Sequence, residues 1–257
     1  MNNQKVIPFK PKDPDDIIYS YGNTDDFSIS GVLNESNLKN YMKSRLIAGE
    51  NCDFKDDTLN KIWNNLLIIE SGNIPDAFPD ELCGYTYKIS SQLMISIQMY
   101  YQDKFGYTLI DKRFCNTIFQ LINHHKCLEI MCGSALLSKS LIKMGADIII
   151  TDDHSWGWTE GIKIDAVDAV NEYGKDVDFI ILSFPPLDSE IATKALCTMR
   201  KVNPKCKMIY IGEPRGGCCA SDSFFEIADR IDCDMINQIN QVYPHWYSMY
   251  SSIQLFK

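Results

Sequence analysis

The residues of this chain best suited to holding a ligand directly follow short apolar runs. Glu129 lies within the apolar run 127–131, and Cys132, Gly133 and Ser134 form a turn of small residues after it. Glycine lets the backbone of such a turn approach a ligand closely. Serine is a common helix N-cap, and the free N–H groups of a helix N-terminus can bind a ligand carboxylate. The pattern predicts a strand, a tight turn and a helix that face a ligand.

The next apolar run, 148–151, is also followed by acidic residues, Asp152 and Asp153. In an open parallel sheet, ligands bind beyond the carboxyl ends of the strands, where a carboxylate can accept two hydrogen bonds from a ribose diol. Trp156 and Trp158 follow closely, and their rings could either stack on a nucleobase or anchor a loop over the core. This order of elements is typical of sites for adenosine-containing cofactors.

The number of glycines discriminates among such cofactors. A dinucleotide site uses the pattern G-x-G-x-x-G, which lets the backbone approach a pyrophosphate. Here only Gly133 is present, with Met131 before it and Ala135 and Leu136 after it. A cofactor without pyrophosphate tolerates this loss better, and S-adenosylmethionine (SAM) is such a cofactor. An NAD-linked oxidoreductase is therefore the less favoured interpretation.

Two later apolar runs also end in polar groups. One residue separates Ser183 from the pair Pro185 and Pro186, and Glu213 follows the run 207–212. The prolines could shape a pocket or simply end a strand, because proline cannot donate a ladder hydrogen bond. A carboxylate at Glu213 could orient an amine or hydroxyl nucleophile. An ion pair between Glu213 and Arg215 is the alternative role.

The ten cysteines of the chain show no metal-binding spacing. No C-x-x-C pair occurs, and His124 and His125 are adjacent rather than spaced along one helix face. Without an apolar leader at residues 1–16, we expect reduced, buried thiols. Cys218 and Cys219 are expected to pack rather than to form a disulfide or a chelate. We therefore expect no metal site.

The arrangement of apolar residues divides the chain into two parts. Helical periodicity predicts helices around 58–67, 89–105 and 114–122, with a loop over 71–81. From residue 127, short apolar runs alternate with amphipathic stretches of about ten residues, which predicts a parallel sheet with helices on both faces. The last two runs, 235–242 and 250–257, have no helical stretch between them. They predict an antiparallel hairpin at one edge of the sheet.

Charge and hydropathy limit the partners of the protein. The chain has 25 basic and 34 acidic residues, a net charge of −9, which disfavours bulk nucleic-acid binding. No apolar run approaches the roughly 20 residues that span a bilayer. The first 16 residues lack the apolar block of a secretory signal. We expect a cytoplasmic protein without membrane contact.

The segment 128–137, with the sequence L-E-I-M-C-G-S-A-L-L, resembles motif I of the class I SAM-dependent methyltransferases, which reads E/D-x-G-x-G-x-G. The resemblance covers about residues 112–257. It implies an α/β fold with a Rossmann-like, seven-stranded sheet that is mostly parallel and ends in an antiparallel hairpin. Residues 29–111 would form a mainly helical N-terminal region and residues 1–28, rich in proline and aspartate, a flexible tail.

The resemblance also implies roles in cofactor binding. Glu129 would hold the methionine end of SAM through the turn, and residues 131–134 would line it. Asp152, with Asp153 as a solvated neighbour or second contact, would bind the ribose hydroxyls. An Asp-Ala step in the family contacts adenine, and Asp165 and Ala166 match it. Asp165 would accept from the exocyclic amine, and Ala166 would donate through its backbone.

On the acceptor side, the resemblance places Ser183, Pro185 and Pro186 beside the transferring methyl group. Glu213, at the end of the following strand, would help to shape the acceptor pocket. The acceptor itself, whether small molecule, protein or nucleic acid, stays open. Met131 and Ala135 replace two glycines of the family motif. A catalytically inactive partner subunit is therefore the alternative to an active methyltransferase.

Overall fold

The computed structural model describes residues 56–79, 91–246 and 249–257. The predicted tail, residues 1–28, lies outside the described residues, as do residues 29–55 and 80–90 of the predicted helical region. In the described part of the chain, three helices precede the sheet: α1 (Asp56–Glu70), α2 (Ser91–Phe105) and α3 (Lys112–Ile122). They confirm the three predicted helices, and the described residues 71–79 form the predicted loop. Asp111 caps α3 by accepting a hydrogen bond from the Phe114 N–H at 2.9 Å.

A six-stranded sheet forms the centre of the fold, in the spatial order β3-β2-β1-β4-β5-β6. The strands are β1 (Lys126–Ile130), β2 (Asp147–Asp152), β3 (Ile162–Lys163), β4 (Phe179–Ser183), β5 (Lys207–Gly212) and β6 (Ser252–Phe256). The first five strands pair in parallel, and β6 runs antiparallel to β5. The order β3-β2-β1-β4-β5 reverses direction between β1 and β4, as in Rossmann-like folds. The predicted α/β class is confirmed.

Helices cover both faces of the sheet, because the buried strands carry apolar side chains on both sides. Leu128 and Ile180 belong to the apolar cluster of one face, whereas Cys127 and Ile181 belong to that of the other. The helices of the α/β part are α4 (Leu136–Lys143), α5 (Ala166–Tyr173), α6 (Ile191–Val202), α7 (Asp222–Ile227) and α8 (Asp234–Val242). Residues of α5, α6 and α7 join the first cluster, and residues of α3, α4 and α8 join the second.

The strand register brings the polar strand ends together. Ile130 pairs with Leu182, so the turn after β1 and Ser183 leave the sheet side by side. Glu129 pairs with Ile150, which places the turn at the level of Asp152. The carboxyl ends of β1, β2 and β4 therefore meet at the point where the strand order reverses.

The predicted antiparallel strand at the C-terminal edge is confirmed by β6, but the predicted hairpin between the last two apolar runs is wrong. Residues 235–242 belong to the helix α8, and only the last run forms a strand, β6. The sheet therefore has six strands in the described part of the chain rather than seven. Ile236 and Ile239 are buried three residues apart on α8, which is a helical spacing. The edge position is taken by a single antiparallel bridge between Arg230 and Phe256.

Among the described residues, no helix combines the length and the apolar character needed to span a membrane.

Two substitutions in α8 can show whether residues 234–242 form a helix or a strand. We expect Ile239→Ala to lower the free energy of unfolding by about 2–4 kcal/mol, because it removes a fully buried side chain from the core. The exposed neighbour Gln238, which a strand would place on the same face as Ile236, provides the matched control. Gln238→Ala should change the stability by less than about 0.5 kcal/mol. Urea unfolding of both variants measures the difference, and the opposite ranking would contradict the helix.

Candidate functional site

A cavity of about 630 Å³ opens at the carboxyl ends of β1, β2 and β4. Its size is typical of small-molecule and cofactor sites. Twelve of the residues predicted from the sequence line it: Glu129, Met131, Cys132, Gly133, Ser134, Asp152, Asp153, Asp165, Ala166, Ser183, Pro185 and Pro186. Glu213 is the one predicted site residue that does not line this cavity.

The turn after β1 has the backbone of a glycine-rich turn despite its side chains. Met131, Gly133 and Ala135 have φ angles of +57°, +55° and +54°. This left-handed region suits glycine and costs other residues roughly 1–2 kcal/mol each. Every second residue of the turn therefore keeps a positive φ angle, including the two positions where methionine and alanine replace glycine. Met131 is half-buried, packs against the apolar cluster that contains Leu128 and Ile180, and also lines the cavity.

The predicted N-cap role of Ser134 is wrong. Ala135 occupies the N-cap position of α4, and no side chain caps this helix. The Ser134 hydroxyl instead donates a hydrogen bond to the Phe105 carbonyl oxygen at 2.5 Å. The left-handed conformation of Ala135 delays the start of the helix by one residue. Ser134 thereby ties the turn to the end of α2.

Asp152 holds the turn from the neighbouring strand. Its Oδ2 accepts the Gly133 N–H at 2.9 Å, and its Oδ1 accepts the His154 N–H at 2.7 Å. The side chain is buried, yet it lines the cavity. Each carboxylate oxygen has two lone pairs, so each keeps one acceptor position after these bonds. Asp152 can therefore fix the turn and accept from a ligand diol at the same time.

Glu129 is the least satisfied polar group of the site. It is 2% exposed, its Oε2 makes no hydrogen bond, and it faces the cavity. Burial raises the pKa of Glu129 to about 7, and the nearby Asp152 adds to the rise. Ser138 lies beside the carboxyl and offsets part of this effect, although its hydroxyl forms no well-aligned hydrogen bond. A buried carboxylate without a partner is costly and calls for a cationic or hydrogen-donating ligand.

The other two acidic residues of the cavity take part in local turns. Asp153 is exposed and accepts the Ser155 N–H at 2.8 Å. Asp165 caps α5 by accepting the Val167 N–H at 2.8 Å through Oδ1, and it also lines the cavity. The backbone of α5 begins at Ala166, which is buried. Each of these carboxylates therefore keeps an acceptor for a ligand.

The cavity is acidic. Four carboxylates line it, and none of the described lining residues is lysine, arginine or histidine. Such a lining attracts cations and repels phosphates. A dinucleotide would bring its pyrophosphate next to these carboxylates without a compensating basic group.

Aromatic side chains form part of the cavity wall. The ring of Trp158 covers Gly133 so closely that a Cβ there would lie 3.1 Å from it. Tyr107 stacks on Phe184 with ring centroids 5.7 Å apart, and both line the cavity. Trp156 lies at the rim and is 57% exposed. Flat apolar walls beside acceptor groups suit a heteroaromatic ring.

Sequence reasoning missed the segment 105–110, which closes one side of the cavity. Thr108 is buried and shares a hydrogen bond of 2.5 Å with the Ser183 hydroxyl. Tyr107 and Ile110 also line the cavity. Gly106, at a φ of +90°, ends α2 and redirects the chain across the strand ends. This helix-ending glycine is the only signal in the segment, and it carries no chemical information.

Glu213 is held away from the cavity. It is buried, with Oε2 accepting the Cys218 N–H at 2.7 Å and Oε1 accepting the Tyr250 N–H at 3.0 Å. Burial alone would raise the pKa of Glu213, but hydrogen bonds from Cys218 and Tyr250 lower it overall. The alternative ion pair with Arg215 is not formed. Arg215 pairs instead with Asp222 and Glu226 of the α7 region.

Comparison with models of protein families and with curated proteins finds no match. Solved structures that match part of this fold include TehB from Haemophilus influenzae, at 14% identity over 62% of this chain and 66% of that chain, with a TM-score of 0.39. PH0226 from Pyrococcus horikoshii OT3 matches at 14% identity over 62% of this chain and 98% of that chain, TM-score 0.31. Coclaurine N-methyltransferase bound to N-methylheliamine and SAH matches at 12% identity over 87% of this chain and 93% of that chain, with a TM-score of 0.33. Likenesses of this strength assign no function.

The raised pKa of Glu129 generates a stability prediction. An unfolded chain ionises Glu129 near the ordinary value of 4.5, whereas the folded protein does so only at about 7. As the pH rises from 4.5 to 7, the unfolding free energy of the wild type should therefore fall relative to that of Glu129→Gln, by about 3 kcal/mol in total. Urea unfolding from pH 4.5 to 7.5 measures the difference. The control is Glu172→Gln, an exposed substitution on α5, whose difference in unfolding free energy from wild type should not change with pH. If the difference between wild type and Glu129→Gln is also independent of pH, the raised pKa of Glu129 is excluded.

Proposed function

We propose that this protein binds SAM in the acidic cavity and transfers the methyl group to an acceptor. The observation that carries the proposal is Glu129, a buried carboxyl group that faces the cavity with an unpartnered Oε2. SAM has a primary ammonium, a carboxylate and a sulfonium at its methionine end, which therefore carries a net charge of about +1. The ammonium would supply the missing partner of Glu129, and the other cavity carboxylates favour the positive charge.

The remaining lining residues suit the other parts of the same cofactor. Asp152 would accept the ribose hydroxyls with the lone pairs left after it binds the turn. Asp165 would accept from the adenine amine through its Oδ2. Trp158 offers a face for the adenine ring beside Gly133. The roles of Asp152 and Asp165 are those that the resemblance to the class I methyltransferases implies.

The chemistry asked of this chain is alignment. When bound, SAM supplies an activated methyl group on its sulfonium, so no side chain needs to activate a leaving group. The chain has to hold the acceptor in line and exclude water. Ser183, fixed by Thr108, and the stacked pair Tyr107 and Phe184 lie where they would position an acceptor. The same carboxylates favour a neutral or cationic acceptor over a phosphate-rich one.

Two alternatives make different use of the cavity. An inactive partner subunit would keep the cavity but transfer no methyl group. This hypothesis rests on Met131 and Ala135, which stand where the family motif has glycine. Because the turn keeps positive φ angles at both positions, the substitutions leave its backbone path in place. An NAD-linked enzyme would have to place a pyrophosphate beside four carboxylates without a basic partner among the described lining residues.

Calorimetric titration with SAM and with its demethylated product, SAH, tests the proposal. We expect one binding site, and we expect Glu129→Gln and Asp152→Asn each to weaken binding by about 10- to 100-fold, because each removes a charge-assisted hydrogen bond. Wild-type affinity should rise from pH 5.5 to 7 as Glu129 ionises. Asp168→Asn, on the exposed side of α5 and outside the cavity, is the matched control and should bind normally.

The alternatives give distinct results in the same experiment. Absence of binding at millimolar SAM and SAH would reject the proposal. Tight binding of NADH would support the oxidoreductase. Normal binding of SAM without methyl transfer to any class of acceptor would favour the partner subunit.

Tryptophan fluorescence provides an independent prediction. Trp156 and Trp158 line the cavity, whereas Trp63 and Trp246 are buried elsewhere. Binding of SAH should quench the emission, since adenine would stack near the two cavity tryptophans. Trp156→Phe together with Trp158→Phe should remove most of the quenching, and Trp63→Phe should retain it. Equal quenching in both proteins would place adenine elsewhere.

A further inference from the structure

A second group of potential ligating atoms lies beside the cavity. Glu213, Cys218 and Cys219 each offer one ligand atom, and these atoms all lie within 4.8 Å of one another. The two cysteines line the cavity from the side of β5. Neither the proposed cofactor contacts nor the predicted acceptor contacts use these thiols.

The intervening loop is shaped to fold back over Glu213. Gly216 has a φ of +88°, which only glycine adopts readily. A Cβ on Gly217 would lie 2.4 Å from Glu213 Cβ, so a larger residue there would separate the loop from the carboxylate. The Gly217 N–H donates to the Pro214 carbonyl and closes the turn at 2.9 Å. The loop thus returns Cys218 directly to the strand end.

The far side of the loop is anchored as well. Cys219 forms an antiparallel bridge with Pro186, and the Ala220 N–H donates to the Pro185 carbonyl at 2.9 Å. Cys219 is buried, whereas Cys218 is exposed. The two thiols are therefore held between the end of β5 and the proline turn after β4, with one side open to the cavity.

The carboxylate of Glu213 lacks a cationic partner. It is 7% exposed and accepts two backbone N–H bonds, from Cys218 and Tyr250. No described residue forms an ion pair with it. Buried carboxylates are normally paired with a cation or coordinate a metal. It also accepts a hydrogen bond from the Cys218 thiol, whose proton a bound cation would replace.

We propose that Glu213, Cys218 and Cys219 bind one Zn²⁺ ion, whose fourth coordination position faces the cavity. Two thiolates and a carboxylate are ligands that zinc accepts, and soft thiolates select it over Mg²⁺ and Ca²⁺. Three protein ligands with one open position are typical of zinc sites that bind a substrate or water. Each thiol that binds releases its proton to solvent.

The required movement is small. Zn–S bonds of about 2.3 Å and Zn–O bonds of about 2.0–2.2 Å place tetrahedral ligand atoms roughly 3.5–3.8 Å apart. From their 4.8 Å limit, the present atoms would have to approach one another by about 1.3 Å at most. Side-chain rotation of the exposed Cys218 can supply most of this. The open position would be available to water or to a soft donor atom of a ligand in the cavity.

Titration of the purified, metal-free protein with Zn²⁺ alone, against a chromophoric chelator, tests the site independently of SAM. We expect one equivalent bound, and a loss of affinity of at least 100-fold in Cys218→Ser and in Cys219→Ser. Glu213→Gln, which preserves shape, should weaken binding less. Cys233→Ser, at a cysteine away from the cluster, is the control.

Cobalt substitution identifies the ligands directly. Co²⁺ bound by thiolates gives sulfur-to-metal charge-transfer absorption, which should diminish in each single cysteine variant and persist in Cys233→Ser. The exposed position of Cys218 makes Cys218→Ser the variant that keeps the fold, as circular dichroism would verify. Binding that is equally tight in Cys218→Ser, or the absence of one stoichiometric Zn²⁺, would overturn the proposal. Neither result bears on SAM binding.

Discussion

The burial of one carboxyl group at the end of β1 governs the rest of the site. Glu129 lies on the central strand β1, is 2% exposed and lines the cavity, so a ligand would meet its side chain from the cavity. Protonation relieves the cost at low pH, and a bound cation relieves it at neutral pH. The surrounding carboxylates make the cavity a place where positive charge is favoured. Stability and ligand binding therefore oppose each other at this residue.

The turn after β1 shows how a backbone conformation can persist without the residues that favour it. Met131 and Ala135 adopt left-handed conformations at a cost in free energy. Three contacts offset that cost: the Gly133 N–H binds Asp152, the Cys132 N–H binds Thr151, and the Ser134 hydroxyl binds Phe105. Two of these come from β2 and one from α2. The surroundings, rather than local propensity, hold the turn in place.

The sequence was sufficient for features that depend on periodicity and on strand ends. The alternation of apolar runs predicted the parallel sheet, and Asp152 and Ser183 lie at the cavity because parallel strands end at one edge. Prediction failed where tertiary contacts decide. The run 235–242 satisfies both a strand and a helix, and burial of Ile236 and Ile239 selects the helix. The segment 105–110 joins the site only through the fold.

The loop at Glu213 illustrates the same limit for metal-binding groups. Adjacent cysteines project to opposite sides of an extended strand, so Cys218 and Cys219 carry no chelating signal in the sequence. Here Gly216 and Gly217 turn the chain back over Glu213, and the bridge to Pro186 fixes its far end, which brings both thiols close to the carboxylate. Spacing rules describe ligands on regular helices and strands. A chelate built on a glycine turn is visible only once that turn is folded, since the turn makes neighbours of the carboxylate and both thiols.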